Sequence, residues 1–384
     1  MKYDFAVFGA TGLQGRIVAK DLLTNGYSVL LCGRDKSRVK YLLKKHKSKT
    51  GFAHLDVENI KGITDLIKKS GANVVVNCVL STWNLNISRA CINAGAHYLD
   101  LGSEIWLTKK QFSMNSELQK KGLTFMLGCG SVPGVGNVML RHAAPKFDSI
   151  ETIHSGYNWK SNMNKFVVPF SIEAIMEEFM DPAIIVKDGE FVKINPMNSM
   201  VYLYPREIGK QKSFSERHPE NYTFFRYYGK MGLKNSKCFA GFPKHSFDRI
   251  KTLVELGFGS YRGINFHGVK IKPIEFLAEV LKGIRVPKGY KETENLWVHI
   301  WGKKDGKKKE IKMECVIHTL KGWEEDYTNI DTGMPCSIMA QMIKKGVIKE
   351  RGCFAPEGVV PPEYFFKELK RRKMIVYENG KQVN

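Results

Sequence analysis

Three glycines near the beginning of the chain have the spacing of a nucleotide-binding turn. Gly9, Gly12 and Gly15 follow the apolar run Tyr3–Phe8, which predicts a strand, and open the periodic stretch Leu13–Asn25, which predicts a helix. Glycine at these points permits a tight turn, a close backbone approach to a pyrophosphate and close packing of the helix on the strand. Free N–H groups at the start of the helix favour phosphate. The predicted cofactor-binding residues here are Gly9, Thr11, Gly12, Leu13, Gln14 and Gly15.

The residues after the second predicted strand indicate which dinucleotide is bound. An acidic residue there usually accepts hydrogen bonds from the ribose 2′-OH of NAD. This chain instead has Arg34 after Cys32-Gly33, and an arginine can pair with the 2′-phosphate of NADP. The sequence therefore favours NADP. NAD stays open as the alternative, in which Arg34 stacks on the adenine and Asp35 binds the ribose.

Polar and small residues also follow the later strands of the predicted sheet. Asp56 and Val57 are placed to contact the adenine, and Cys78 and Val79 to run beside the ribose and nicotinamide. Asp100 ends a further strand, where it would hold a substrate ammonium or cap the next segment. Two further candidates follow a later strand. Cys129 would line the nicotinamide pocket or be a buried thiol without a function, and Gly130 would contact the substrate.

Alternation of predicted strands and helices gives the architecture that must position these residues. Through residues 1–145 the strand–helix units predict an α/β, Rossmann-type, doubly wound parallel sheet. From 146 to 330, frequent aromatic and turn residues predict an inserted α+β substrate domain with a mixed or antiparallel sheet. Helical periodicity returns over 331–384, which we expect to pack back on the first domain.

Composition limits the classes of protein to be considered. Apolar runs are of strand length, no signal peptide is visible, and we expect a cytoplasmic protein without a membrane span. The formal net charge of +22 comes from scattered basic residues without a nucleic-acid-binding motif, which argues against nucleic acid as the partner. The eight cysteines form no C-x-x-C pair or zinc-finger spacing, so no metal site is predicted.

Motifs spread along the chain resemble the saccharopine dehydrogenase and lysine 6-dehydrogenase family. They are "AGAHYLD" at 94–100, "GCGSVPGVGN" at 128–137, "SIEAIMEEFMDPAIIVKDGE" at 171–190, "GFPKHSFDRIKTLVELG" at 241–257 and the segment 332–376. Their order carries the resemblance more than any one of them. It implies an NAD(P)-dependent oxidoreductase that acts on a C–N bond of an amino acid or amine, with hydride transfer through an iminium. It also suggests a homodimer.

Further site residues follow from this resemblance. His245 matches a family histidine and is a candidate acid–base group, or a structural cap of the helix that follows. Gly241 stands where the family often has an arginine, so Lys244 is the candidate clamp for a substrate carboxylate. Asn137, at the start of a helix aimed at the cleft, would lie near the nicotinamide or substrate. The remaining substrate-binding candidates are Glu104, Gly156 and Tyr157.

Two other functions share the glycine turn. One is a reductase of a C=C or C=O bond in a lipid-like substrate, which would prefer apolar molecules. The other is a non-catalytic NADPH-binding protein, which the loss of the arginine at Gly241 would permit. Only the C–N oxidoreductase hypothesis requires an amine for turnover, and this separates it from both alternatives.

Overall fold

The computed structural model describes residues 2–102, 104–168 and 170–384. Its strands, numbered along the chain, are β1 Phe5–Phe8, β2 Val29–Gly33, β3 Thr50–His54, β4 Val74–Asn77, β5 His97–Asp100, β6 Thr124–Met126, β7 Ser149–Ser161, β8 Ala183–Lys187, β9 Glu190–Ile194, β10 Val201–Leu203, β11 Gln211–Ser215, β12 Asn235–Gly241, β13 Ile264–Phe266, β14 Val269–Ile271, β15 Glu292–Lys304, β16 Lys307–His318, β17 Gly352–Phe354, β18 Ile375–Glu378 and β19 Lys381–Gln382.

The helices lie mainly between the strands of the first sheet and at the two ends of the second. They are α1 Leu13–Thr24, α2 Lys40–Lys45, α3 Ile60–Ser70, α4 Asn84–Ala94, α5 Ile105–Phe112, α6 Asn115–Lys120, α7 Val135–Ala143, α8 Ile172–Met180, α9 Glu220–Tyr228, α10 Lys244–Glu255, α11 Pro273–Leu281, α12 Ile330–Lys344, α13 Pro356–Val359 and α14 Pro362–Arg371. Among the described residues, no helix is both long and apolar enough to span a bilayer.

The first sheet is parallel and doubly wound, as the sequence predicts. Its seven strands are ordered β17-β6-β5-β4-β1-β2-β3, and the buried strands β1, β2 and β4 are almost wholly apolar. The strand order reverses between β1 and β4, because β2 and β3 continue on one side of β1 and β5 and β6 on the other. Ligands of such sheets bind at the carboxyl ends of the strands beside this switch point.

The second sheet is mixed and stands above that edge. Its main path runs β10-β11-β12-β7-β15-β16-β18-β19, with all neighbours antiparallel except the parallel pair β12 and β7. The long strands β7 and β15 carry its centre. The α/β-plus-mixed-sheet prediction is confirmed in its class.

The C-terminal segment joins both sheets. Helix α12 packs on α1, so closely that a Cβ on Gly333 would lie 2.4 Å from Cγ2 of Ile17. Strand β17 pairs with β6 in the first sheet, whereas β18 pairs with β16 in the second. The segment therefore completes the nucleotide domain and also ties it to the other sheet.

A buried ion pair fastens this segment. Arg372 donates from Nε and Nη2 to the two carboxylate oxygens of Asp21, both at 2.8 Å, and Ser337 of α12 donates to the same carboxylate at 2.6 Å. The Arg372 and Asp21 side chains are 7% and 5% exposed. This contact links α1, α12 and the residue that follows α14.

Some elements differ from the sequence prediction. The pattern of Lys109–Lys121 predicts one helix, but two form, because the chain turns at Ser113 and Met114. The pattern of Val269–Ile274 predicts a strand, which ends at Ile271, since Pro273 begins α11. Several elements were not predicted at all, including the central strand β12 and helix α9.

Removal of one member of the buried pair should destabilise the whole fold. We expect Arg372→Met to lose about 3–5 kcal/mol of unfolding free energy, because it leaves the Asp21 carboxylate buried and unpaired. Urea denaturation measures this loss. The control is Arg371→Met, whose side chain is 61% exposed in its pair with Glu368 and should cost under about 1 kcal/mol. Equal losses in the two variants would contradict the proposed fastening role.

Candidate functional site

A cavity of about 560 Å³ opens at the switch point, between the carboxyl edge of the first sheet and the second sheet. The first domain supplies the glycine turn, the residues after β4 and the turn before α7. The second supplies residues of β7, α8 and β15, and the start of α12 closes the side. Cavities of this size and mixed lining hold small ligands.

The glycine turn forms one wall of the cavity. Gly12, Leu13 and Gln14 line it directly. Gly9 has a φ of +76°, and a Cβ there would lie 2.7 Å from the carbonyl oxygen of Cys78. A Cβ on Gly15 would lie 2.2 Å from the carbonyl oxygen of Gly9. The turn thus requires glycine where the sequence predicts it, and no side chain caps the N-terminus of α1.

The residues of this edge fit a dinucleotide phosphate. Arg34 is exposed just beyond β2, and no hydrogen bond or ion pair of its side chain is found within 2–102, 104–168 and 170–384. Asp35, the alternative ribose ligand, instead accepts from the backbone N–H and hydroxyl of Ser37 at 2.9 and 2.6 Å. The Thr11 side chain packs over Gly33, where a Cβ would lie 2.6 Å from it. A free cation beside an occupied carboxylate suits a 2′-phosphate.

Further cofactor candidates lie at the same edge. Cys78 and Val79 line the cavity beside the glycine turn. Asp56 and Val57 follow β3, next to β2, where the Asp56 carboxylate accepts from the Glu58 N–H at 3.0 Å and the Val57 carbonyl from Asn86 at 3.2 Å. These placements agree with an adenine end at β2–β3 and a reactive end in the cavity.

The opposite wall is acidic. Glu178 of α8, Glu294 of β15 and Asp331 of α12 all line the cavity, together with His218. The Tyr157 hydroxyl donates to Glu178 at 2.9 Å, and the Thr332 hydroxyl donates to Asp331 at 3.1 Å. In the described part of the chain, Oδ2 of Asp331 is buried without a hydrogen-bond partner. Three carboxyl groups therefore converge on one small volume from three elements.

Burial and mutual repulsion change the acidity of these groups. Burial is the main factor that raises the pKa of Glu178, with the nearby Glu216 charge adding to it. Burial likewise raises the pKa of Asp331, and it raises the pKa of Glu294, where the nearby Asp331 charge adds to the effect. Carboxyl groups held in this way take up a proton or a cationic ligand more readily than exposed ones. The wall is suited to a positively charged molecule.

Two predicted catalytic residues do not reach the cavity. The Asp100 carboxylate is buried and accepts five hydrogen bonds, from the side chains of Asn84, Tyr98 and Gln111 and the backbone N–H groups of Gly102 and Gly128. It thus joins the ends of β5 and β6, in line with the alternative capping role. Cys129 is fully buried below the cavity, and its thiol donates to the Met126 carbonyl at 3.5 Å.

The residues taken from the family's histidine turn also lie elsewhere. His245 is near Ser161 and Ser246, at 3.4 and 3.1 Å, at the start of α10 and outside the cavity lining. Lys244 is 88% exposed and pairs with Asp248 along the helix, so it does not replace the missing arginine. A Cβ on Gly241 would lie 1.8 Å from the Asn158 side chain, which leaves no space for an arginine there.

Three other substrate or cofactor candidates have structural contacts instead. Asn137 caps its own helix by accepting from the Gly134 N–H and donates to Glu357, both at 2.8 Å. Gly156 is required by strand packing, because a Cβ would lie 2.2 Å from the Phe239 carbonyl oxygen. The Glu104 carboxylate accepts from the Trp106 ring and lies 3.6 Å from Arg217. Gly130 and Tyr157, by contrast, line the cavity.

No sequence motif marks the acidic wall, although one signal of it is present. In β15, Glu294 lies two residues before Leu296 and four before Val298, both fully buried, so strand alternation places this carboxyl on an inward face. No comparable signal marks Glu178 or Asp331. Trp159, an aromatic strand residue of the type that usually packs in a core, also lines the cavity.

Comparisons with known proteins agree with this organisation. Residues 5–126 match the saccharopine dehydrogenase NADP binding domain, and residues 107–375 match the saccharopine dehydrogenase C-terminal domain. A carboxyaminopropylagmatine dehydrogenase of Synechocystis is 26% identical over 379 residues, covering 94% of each chain. A carboxynorspermidine synthase of Vibrio cholerae is 24% identical over 373 residues, covering 91% of this chain and 89% of the relative.

A solved structure has the same overall fold. The apo form of saccharopine dehydrogenase (L-Glu forming) from Saccharomyces cerevisiae superposes with a TM-score of 0.77, covering the whole of both chains at 14% identity. The two domain matches together span nearly the entire sequence, and the nucleotide turn lies within the first of them. The chain belongs to the saccharopine dehydrogenase family of NAD(P)-dependent oxidoreductases.

Proposed function

We propose that this protein is an NADP-dependent oxidoreductase that forms or breaks a C–N bond of an amine carrying a second cationic nitrogen. The observation that carries the proposal is the acidic wall of Glu178, Glu294 and Asp331 facing the glycine turn across one cavity. Asp331 is buried and Glu178 and Glu294 are half-buried, and keeping such carboxyl groups charged is costly unless a cation neutralises them. The names of the two relatives, which denote carboxylated derivatives of agmatine and norspermidine, support the same class of substrate.

The chemistry divides between the cofactor and the cavity. In the bond-forming direction, a neutral amine attacks a carbonyl carbon, water leaves, and the protonated imine is reduced to a secondary amine. When bound, the nicotinamide supplies the hydride for this reduction to the carbon that carries nitrogen, or accepts a hydride from that carbon in the reverse direction. The residues that would hold the cofactor are Gly12–Gln14, Cys78, Val79 and Arg34.

The chain's own residues would orient and stabilise the substrate. The carboxylates on α8, β15 and α12 attract the distant ammonium and so place the reacting nitrogen toward the glycine turn. They also favour the positive charge of the iminium over the neutral carbonyl. Tyr157 and Trp159 shape the wall between them and limit water entry.

The alternative of a lipid-like substrate lacks this support. An apolar molecule would offer no countercharge to Glu294 and Asp331, which have no cationic side chain acting on them among the described residues. A non-catalytic NADPH-binding protein is an outcome of the first experiment below.

Substitution of a wall carboxylate tests the substrate class. In assays that follow NADPH oxidation with an amino-acid aldehyde, we expect turnover with a diamine and much less with a monoamine of equal length. Glu178→Gln should raise the KM for the diamine about tenfold or more, because one charge-assisted contact is lost.

The control is Glu177→Gln on the same helix, where the carboxylate faces Arg217 and Tyr261 outside the cavity lining, and its KM should stay near that of the wild type. Equal turnover of monoamine and diamine would overturn the substrate class. NADPH binding without turnover of any amine would overturn the enzymatic proposal.

Arg34 should determine the choice of dinucleotide. Arg34→Ala is expected to weaken NADPH binding about tenfold to a hundredfold while leaving NADH binding unchanged, because only NADPH carries the 2′-phosphate. Fluorescence titration of the reduced cofactors measures both constants. The control is Lys69→Ala, at an exposed position near the C-terminal end of α3, which should change neither the NADPH nor the NADH binding constant. A parallel loss for NADH would contradict the assignment.

Binding of the diamine should depend on pH with a defined sign. Burial raises the pKa of Asp331 to about 7, and it also raises the pKa of Glu294. The negative charge of Glu292 adds to both effects. Between about pH 6 and about pH 8 Asp331 ionises while an alkyl diamine stays protonated, so the affinity for the diamine should rise with pH.

Calorimetric titration of a diamine without aldehyde measures this slope. Asp331→Asn should flatten it, whereas Asp248→Asn, at a half-exposed carboxylate on α10, should leave it unchanged. An affinity that is constant or falls as pH rises would show that the wall does not bind the ammonium.

A further inference from the structure

A second polar cluster lies behind the acidic wall and is not used by the proposed reaction. It contains Glu216 and His218, just after β11, Glu220 at the start of α9, and Cys238 in the centre of β12. Glu216, Glu220 and Cys238 are fully buried, and the His218 side chain is 19% exposed and touches the cavity. Ligand atoms of Glu216, His218 and Cys238 all lie within 4.8 Å of one another.

The spacing within the cluster is unusual for hydrogen bonds. Sγ of Cys238 is 3.3 Å from Oε1 of Glu216, 3.7 Å from Oε1 of Glu220 and 3.8 Å from Nδ1 of His218. His218 Nδ1 is 3.4 Å from Glu220, and its Nε2 is 3.5 Å from Glu216. Good hydrogen bonds between nitrogen and carboxylate oxygen are near 2.7–2.9 Å, so the ring makes none at that length here.

These distances suit a tetrahedral metal ion better. With Zn–S near 2.3 Å and Zn–N or Zn–O near 2.0–2.1 Å, neighbouring ligands in a tetrahedron are about 3.3–3.6 Å apart. The edges that meet at the Cys238 sulfur lie close to that range. A thiolate, an imidazole and carboxylates are also the ligand types that zinc takes in proteins.

An independent observation points to a missing partner. In the part of the chain that the structure describes, Oε2 of Glu216 and Oε2 of Glu220 are buried without a hydrogen-bond partner. Both side chains are fully buried on either side of His218. Oε2 of Glu216 lies 3.5 Å from Nε2 of His218, which is too far for a strong charge-assisted hydrogen bond, so a cation between the two carboxylates would further offset their desolvation.

We propose that Glu216, His218 and Cys238, with Glu220 beside them, form a site for one divalent metal ion of the zinc class. An ion would reach the site past His218, which borders the cavity. The site would anchor the β11–α9 connection to the centre of β12, and so hold the sheet behind the acidic wall. The proposal does not depend on the substrate proposed above, because no ligand of the site belongs to that wall.

Metal content of the intact protein tests the site directly. Protein purified without metal-affinity resin or chelator should hold about one zinc-class ion per chain by mass spectrometry of the elements. Metal-stripped protein titrated with Co²⁺ should develop the thiolate-to-cobalt charge-transfer band, which reports a Co–S bond. Neither readout requires a substrate or activity.

Two serine variants identify the ligand. Cys238→Ser should lose the charge-transfer band and most of the bound metal, whereas Cys91→Ser, at an equally buried thiol of α4, should retain both. The proposal is overturned if wild-type protein holds no stoichiometric metal and shows no Co–S band. It is equally overturned if Cys238→Ser binds cobalt with the same spectrum. Should Cys238→Ser fail to fold, the wild-type measurements alone decide.

Discussion

The packing of α12 on α1 is the constraint on which the site depends. Gly333 permits contact with Ile17, and the Asp21 carboxylate receives Arg372 and Ser337 in the same interface. Because α1 begins at the glycine turn and Asp331 lies in the first turn of α12, fixing these helices against each other also fixes the phosphate side of the cavity relative to the acidic side. The contacts that stabilise this interface thus also align the phosphate side of the cavity with the acidic wall.

The acidic wall is maintained at an energetic cost that the fold distributes. Its members come from α8, β15 and α12, so none is a local sequence neighbour of another; Asp331 is buried, and Glu178 and Glu294 are half-buried. The Tyr157 hydroxyl donates to Glu178 and the Thr332 hydroxyl donates to Asp331, so part of the charge of these two carboxylates is satisfied. The carboxylates are therefore held in position before a ligand binds. A rigid site gains selectivity for cations in this way.

The residues of the nucleotide side could be predicted from local sequence motifs. The residues of the acidic wall could not, because contacts between elements distant in sequence bring them together. The glycine turn, Arg34 and the residues after β4 follow from short motifs and from the rule that parallel strands end at one edge. Glu178 and Asp331 could not be placed, because they meet only through the crossing of distant elements. Asp100 and His245 show the reverse error: residues of suitable type beside the right motifs are taken up by structural contacts.

The central claim is hydride transfer to a carbon bonded to the nitrogen of a cationic amine. The most direct measurement uses NADPH deuterated at C4 of the nicotinamide, on the transferred face, with a diamine and an amino-acid aldehyde. Mass spectrometry and NMR of the product should show one deuterium on the carbon of the new C–N bond. Deuterium found in an alcohol or a reduced C=C bond, with no C–N product formed, would contradict the account.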